Sequence, residues 1–124
     1  MEVRSRLEAE PFTTLDGSTI RVLLDAAAGG AKSQSLAEAE LGPRQQTQRH
    51  YHARTEEIYV LVDGSGEMEV EGDRGEVGVG DAILIPAGAR HQITAGDRGA
   101  RFLCCCAPPY SDEDTFFDEE IVPE

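Results

Sequence analysis

Residues 50–64 read HYHARTEEIYVLVDG and residues 80–91 read GDAILIPAGARH, and these two stretches decide the fold. In both, short apolar runs alternate with polar side chains and end at Asp-Gly or Pro-Ala-Gly. Alternation with a period of two is typical of strands that are buried on one face, and the turn residues allow the chain to reverse. The two stretches therefore predict antiparallel β-structure. They also contain all three histidines of the chain.

The same alternation continues on both sides of these stretches. It predicts strands at residues 19–24, 36–41, 46–52, 57–62, 66–71, 76–79, 82–85, 91–94 and 100–107. Asp63-Gly64 reads as a hairpin turn between two of them. Short strands at this spacing favour an all-β fold, a small antiparallel barrel or jelly roll. No linker or repeat divides residues 1–124, so we expect a single domain.

The C-terminal segment, residues 111–124, differs from the rest. Ser111 followed by Asp114 resembles a capping box and predicts a short C-terminal helix. The apolar residues that would then fold back onto the barrel, or onto a partner subunit, are Phe116, Phe117, Ile121 and Val122. The acidic residues that we expect to form a solvated tail are Asp112, Glu113, Asp114, Asp118, Glu119, Glu120 and Glu124.

Charge and composition exclude several classes of partner. The formal net charge is −13, from 24 acidic and 11 basic residues, and such a surface repels nucleic-acid phosphates and anionic membranes. No run of apolar residues is long enough to span a bilayer, and residues 1–12 lack a secretory signal, so we expect a cytoplasmic protein. Cys104, Cys105 and Cys106 are consecutive, which excludes a disulfide framework and predicts buried fillers. Their reactivity stays open.

The histidines have the spacing of metal ligands. His50 and His52 lie two apart, so on a strand they project from one face with Cα atoms roughly 6.6 Å apart. Glu57 would begin the next antiparallel strand beside them, although Glu56 is also possible by position. We favour Glu57, because Glu57, Tyr59 and Leu61 would then face inward and leave Ile58, Val60 and Val62 outside. His91 comes from a distant hairpin and joins the site only if the sheet closes.

Three imidazoles and one carboxylate are the donors of an exchangeable divalent transition metal site. The predicted metal ligands are His50, His52, Glu57 and His91. The metal is Mn, Fe, Ni, Zn or Cu, and the sequence does not choose among them. If all three histidines bind the metal, no imidazole remains for proton transfer.

Other residues are candidates for catalysis or for binding a substrate. Strand parity places Gln46 and Gln48 on the face of His50 and His52, and Gln48 is the better candidate for contacting a ligand. The candidate catalytic residues are Tyr59, Gln48 and Glu56, and proton transfer is also open to Glu38 and Glu40. The arginines considered as anchors for an anionic substrate are Arg44, Arg54, Arg90 and Arg101.

These motifs resemble a known family. The pattern His50-x-His52-x4-Glu57-x6-Gly64 is similar to the first cupin motif, and Gly80-x5-Pro86-x-Gly88-x2-His91 to the second. The resemblance covers about residues 33–107 and implies a single-domain cupin: a small barrel around a metal, often within a homodimer. Two positions depart from the pattern, since Arg44 replaces a glycine of the first motif and Ala95 an asparagine of the second.

The resemblance leaves the reaction open. We expect a metal-dependent enzyme acting on a small oxygenated molecule that bears a carboxylate or hydroxyl group, such as a dioxygenase or isomerase. The alternative is a non-catalytic module that uses the same metal to bind or sense a small molecule. A storage or scaffold barrel is a third reading, against which the complete ligand set argues.

Overall fold

The computed structural model describes residues 1–117. Nine strands make up the fold: β1 (Phe12–Thr13), β2 (Thr19–Leu24), β3 (Ser35–Leu41), β4 (His50–His52), β5 (Glu56–Val70), β6 (Asp73–Gly78), β7 (Ala82–Ile85), β8 (His91–Ala107) and β9 (Thr115–Phe117). Two single-turn 3₁₀ helices, Arg6–Glu8 and Asp112–Asp114, are the helical elements of the described residues. No helix in this part of the chain has the length and apolar character needed to cross a bilayer.

All strand pairings are antiparallel, and β8 lies at the centre of the sheet. One edge of β8 pairs with β3 and then β4, and the other edge pairs with β5 along most of its length. The sheet extends from β3 through β2 to β1, from β4 to β9, and from β5 to β6 and β7. It curls into a barrel whose largest fully buried side chains include Phe102, Leu41, Leu61, Ile85 and Ile93. The predicted all-β barrel is confirmed.

The inner and outer faces of β5 follow the predicted parity. Glu57, Tyr59 and Leu61 are buried, whereas Ile58 is exposed and Val60 and Val62 are partly buried. The three cysteines obey the same rule on β8, because Cys104 and Cys106 are buried and Cys105 is half-buried on the other face.

The predicted hairpin at Asp63-Gly64 is wrong. β5 continues from Glu56 to Val70 and pairs with β8 on both sides of Gly64, where the register shifts. Gly64 has a φ of 75°, and a Cβ there would overlap the carbonyl oxygen of Gly99 on β8. The two long strands therefore bend together at a close backbone contact that requires glycine. The chain reverses later, at Glu71-Gly72, where both residues have positive φ as in a type I′ turn.

The predicted strand at residues 46–52 is shorter than expected, and its inward face is different. Only His50–His52 is a strand, and Gln46 forms an isolated bridge to Thr94. Thr47 is fully buried and its hydroxyl accepts a hydrogen bond from the Ile93 amide, whereas Gln46 and Gln48 are exposed. Thr47 and His50 are three residues apart, so the intervening backbone is irregular and alternation from His50 does not extend to the glutamines.

The C-terminal segment forms a short 3₁₀ helix followed by a strand. The Ser111 hydroxyl accepts a hydrogen bond from the Asp114 amide, as a cap does, but the helix has three residues. Phe116 and Phe117 fold back on the barrel as β9, which pairs with β4. Asp114 is buried, which corrects its assignment to a solvated tail. The remaining tail positions, Asp118, Glu119, Glu120, Ile121, Val122 and Glu124, lie outside the described residues.

Candidate metal centre

Two strands of the barrel bring the histidines together. His50 and His52 lie on β4, His91 begins β8, and His50 is the direct cross-strand partner of His91. One ring nitrogen from each histidine lies within 4.8 Å of the other two. The side chains are almost inaccessible to solvent, with relative exposures of 3%, 4% and 0% for His50, His52 and His91. Closure of the sheet therefore unites residues that are 41 positions apart in the chain.

Backbone carbonyl oxygens anchor the outer nitrogen of each imidazole. Nδ1 of His50 lies 2.7 Å from the Gln48 carbonyl oxygen, and Nδ1 of His91 lies 2.9 Å from that of Ala89. Nδ1 of His52 lies 3.3 Å from the carbonyl oxygen of Asp114. In each case Nδ1–H donates, so Nε2 carries the lone pair that a metal needs. This arrangement orients three imidazoles for a shared cation.

Glu57 lies against two of the three imidazoles. Its Oε1 is 3.4 Å from Nε2 of His52 and 3.5 Å from Nε2 of His91, and its Oε2 accepts a hydrogen bond from the Cys106 thiol at 3.2 Å. Ligand atoms bound at 2.0–2.2 Å to one ion are separated by about 3.0–3.5 Å. The distances around Glu57 Oε1 fall in that range.

Two atoms of this cluster are buried without a hydrogen bond. Among the described residues, Oε1 of Glu57 and Nε2 of His91 are the buried side-chain polar atoms that lack a hydrogen-bond partner. Leaving a buried polar atom unsatisfied costs roughly 1–3 kcal/mol, and native proteins rarely do so without a reason. A cation between the two atoms would satisfy both, and the donor set therefore fits a divalent transition metal.

The electrostatics of the cluster agree with this interpretation. Burial, followed by the neighbouring His91, lowers the pKa of His50 to about 4, so its imidazole is neutral at pH 7. Burial alone would raise the pKa of Glu57, but the close imidazoles of His52 and His91 lower it to about 2. Burial opposes charging of His52 as well, yet Glu57 raises the pKa of His52 above its ordinary value. The cluster thus contains an ionised carboxylate that attracts positive charge.

His50, His52 and Glu57 line a cavity of about 90 Å³. A water molecule needs roughly 10–15 Å³ on this scale, so the cavity has room for several waters or one small organic molecule. The residues that line it are Phe12, Thr14, Asp16, Ser18, Ile20, Val22, Asp25, Ser35, Leu36, Ala37, Ala39, His50, His52, Glu57, Tyr59, Phe102, Cys104, Cys106, Tyr110 and Thr115.

Asp16 is the residue of this cavity that the sequence analysis missed. Its Oδ2 lies 3.9 Å from Nε2 of His50, and its Oδ1 accepts hydrogen bonds from the Ser18 amide and hydroxyl at 2.9 and 2.6 Å. In the sequence, Asp16-Gly17 carries only the signal of a turn. Nothing local to the turn indicates that it closes over a barrel whose other walls come from distant strands.

Of the three candidate catalytic residues, the cavity includes Tyr59. Burial raises the pKa of the Tyr59 phenol well above its ordinary value, so the phenol stays protonated at neutral pH. Gln48 and Glu56 are exposed and do not line the cavity, and Gln48 contributes its backbone carbonyl to His50 instead of its side-chain amide. Glu40 is exposed as well.

The four candidate anion anchors lie outside the cavity and contact other groups. Arg44 pairs with Asp97 at 2.7 Å, Arg101 pairs with Glu38 at 3.2 Å, and the guanidinium of Arg90 covers the ring of Tyr51. The guanidinium of Arg54 lies 4.0 Å from the Asp114 carboxylate. Glu38 is therefore a partner of arginine and not a free base.

The turn between His52 and Glu57 is held by Asp114. Its two carboxylate oxygens accept hydrogen bonds from the amides of Ala53, Arg54 and Thr55. These amide hydrogen bonds lower the pKa of Asp114 despite its burial. The C-terminal segment therefore sets the geometry of the loop between the predicted ligands His52 and Glu57. No sequence motif indicates this contact.

Both departures from the motif pattern have a structural account. Arg44 has a φ of 59°, a left-handed conformation in which glycine carries no penalty, and its side chain pairs with Asp97. Ala95 is a buried residue of the hydrophobic core. Neither residue lines the cavity.

Comparisons with known proteins agree with the fold and the motifs. The family model described as "Cupin domain" matches residues 37–106. An uncharacterized protein of Methanocaldococcus jannaschii is 42% identical over 107 residues, which is 86% of each chain. Dimethylsulfoniopropionate lyase DddW of Ruegeria pomeroyi is 34% identical over 82 residues, 66% of this chain and about half (53%) of the lyase. The polyketide cyclase RemF of Streptomyces resistomycificus has a similar structure, with a TM-score of 0.82, 26% identity and coverage of 98% of this chain and 87% of RemF. The chain belongs to the cupin family.

Proposed function

We propose that this cupin is a metal-dependent enzyme that acts on a small oxygenated molecule bound in the barrel cavity. The observation that carries the proposal is the cluster of three imidazoles, all anchored through Nδ1, two of which line a cavity that a small molecule fits. We assign His50, His52, His91 and Glu57 as the ligands. The ion would be a divalent transition metal such as Mn, Fe, Ni, Zn or Cu.

A bound metal of this kind supplies Lewis acidity toward a carbonyl or hydroxyl oxygen. The chain itself contributes the surroundings of that oxygen. Tyr59 stays protonated and offers a hydrogen-bond donor in the cavity, whereas Asp16 offers an acceptor. The apolar wall formed by Ile20, Val22 and Phe102 excludes water from the opposite side of a bound molecule.

Groups besides the ligands support catalysis over simple binding. A phenol and a carboxylate face the same small space as the imidazoles, which is the arrangement that proton transfer or elimination at a hydroxyl or carbonyl compound requires. The similar proteins named a lyase and a polyketide cyclase are compatible with such chemistry, but each name describes that protein only. Dioxygenase and isomerase activity belong to the same proposal and are tested with it. The same experiment tests the non-catalytic alternative.

The experiment is a screen of the protein loaded separately with Mn, Fe, Ni, Cu and Zn. Turnover is measured by NMR on a panel of small hydroxy-carbonyl compounds, and oxygen consumption is recorded in parallel. We expect turnover with at least one metal, and its loss in His52→Ala. Gln48→Ala is the matched control: Gln48 lies two residues before β4 and its side chain is exposed, so the variant should keep full activity. Tight binding of panel compounds without turnover under any metal would favour a binding module instead.

Two further expectations belong to this proposal. A homodimer is expected from the family resemblance, and sedimentation at several concentrations measures it. A cytoplasmic location is part of the same proposal, and fractionation of cells that produce the protein tests it.

A further inference from the structure

The walls of the cavity contain acidic residues but no lysine or arginine. Asp16, Asp25 and Glu57 line it, and none of the eleven lysines and arginines does. All eleven basic residues lie within the described residues 1–117, and residues 118–124 contain none. The absence of a cationic anchor therefore does not depend on the part of the chain that the structure leaves out.

The formal charge of the cavity is unfavourable to an anion. Three carboxylates together carry a charge of −3, and one divalent ion reduces it to −1. The surrounding barrel adds to this field, because the whole chain has a net charge of −13. Enzymes that bind phosphates or dicarboxylates in closed cavities usually provide arginine or lysine for the charge that the metal does not neutralise.

Asp16 lies where it would determine this selectivity. Ser18 holds Oδ1 of Asp16 through two hydrogen bonds, and Oδ2 lies 3.9 Å from Nε2 of His50. That gap is too long for a direct hydrogen bond. A ligand hydroxyl or amide N–H bound beside the histidines would lie within reach of Oδ2, whereas a ligand carboxylate there would face a like charge.

Resting on the proposed function, we infer that the cavity takes an uncharged or cationic hydroxyl-bearing small molecule and discriminates against anions, with Asp16 as the residue that sets the preference. Among the carboxylate- and hydroxyl-bearing molecules that the motifs allow, we therefore favour those that bear a hydroxyl group and no carboxylate. The apolar side chains of Leu36, Ala39 and Phe102 also line the cavity and would cover the carbon skeleton. The hydroxyl would face Asp16 and the histidines.

The experiment uses lactate and lactamide, which share a carbon skeleton and an α-hydroxyl group and differ in charge. Dissociation constants are measured by ligand-observed NMR on zinc-loaded and metal-free protein. Asp16→Asn should tighten binding of lactate about tenfold, because it removes the negative charge that faces the bound carboxylate, and should not tighten binding of lactamide, which loses the Oδ2 acceptor. Asp97→Asn is the control: it removes the same charge from an exposed residue outside the cavity and should alter neither constant.

A second measurement uses the unmodified protein and does not depend on how the variant folds. Raising the ionic strength screens repulsion, so binding of lactate to wild-type protein should strengthen with salt while that of lactamide stays constant. Lactate affinity that Asp16→Asn leaves unchanged, or that falls with salt in wild type, would overturn the inference. Failure of the proposed metal site is a separate result: zinc would then not bind, and the metal-free measurements would still decide the charge preference.

Discussion

Glu38 and Glu57 are both buried glutamates of this barrel, and their partners differ. Glu38 accepts hydrogen bonds from Arg6 through both oxygens at 2.8 Å and from Arg101 at 3.2 Å. Glu57 faces two imidazoles and a thiol, and one of its oxygens has no hydrogen-bond partner. Two guanidinium groups satisfy the first carboxylate within the protein, so it fastens the N-terminal segment to the sheet. The second has an oxygen that no group of the described residues satisfies and that a cation would satisfy, which is the physical difference between a structural and a candidate functional buried charge.

The largest effect should come from removing one of the imidazoles beside Glu57. His52→Ala deletes a proposed ligand and should lower zinc affinity by more than about 100-fold, since loss of a group that only supports a ligand typically costs 10–100-fold. Competition with a chromophoric chelator measures the affinity. Retention of full zinc occupancy by His52→Ala would refute the ligand assignment.

Exchanging each glutamate for glutamine tests the comparison directly. Glu38→Gln should lower the free energy of unfolding by about 2 kcal/mol, below the 3–5 kcal/mol of fully buried pairs because Arg6 and Arg101 are partly exposed, and should leave zinc affinity unchanged. Glu57→Gln should weaken zinc binding about 10–100-fold. Urea denaturation and chelator competition are measured on both variants. The distinction fails if the two variants show the same pair of effects.

Glu69, like Glu38, is a buried glutamate paired with arginine, and its contribution to stability should depend on pH. The hydrogen bonds from Arg49 and the Gly72 amide hold the pKa of Glu69 below its ordinary value of 4.5. A carboxylate with a lowered pKa stabilises the fold above its ordinary pKa, and the contribution is lost as pH falls through the lower, folded value. Glu69→Gln should therefore cost about 1–2 kcal/mol at pH 7, and the difference from wild type should shrink below about pH 4.5. A difference that stays constant from pH 7 to pH 3.5 would contradict this account.

The smallest effect should come from Cys106, whose thiol donates to Oε2 of Glu57. Burial raises the pKa of Cys106 far above its ordinary value, so the group remains a protonated donor. Cys106→Ala removes this donor and should weaken zinc binding by about three- to tenfold, whereas Cys106→Ser retains a hydroxyl donor and should lose less. Equal affinities in wild type, alanine and serine variants would show that the thiol does not position the carboxylate.

The sequence by itself determined the fold class, the strands at residues 19–24 and 82–85, and the parity of β5, because alternation and turn residues are local properties. Histidine spacing likewise predicted the cluster that the structure brings together. Only the tertiary structure decided the rest. The strands bend at Gly64 because the backbones of β5 and β8 approach closely there. The side chain of Gln48 is exposed because the backbone before β4 is irregular. Asp16 lies beside His50, 34 positions away in the chain, and Asp114 binds the amide of Ala53, 61 positions away, in the β4–β5 turn. Such contacts exist only once the sheet has closed, so no local pattern encodes them.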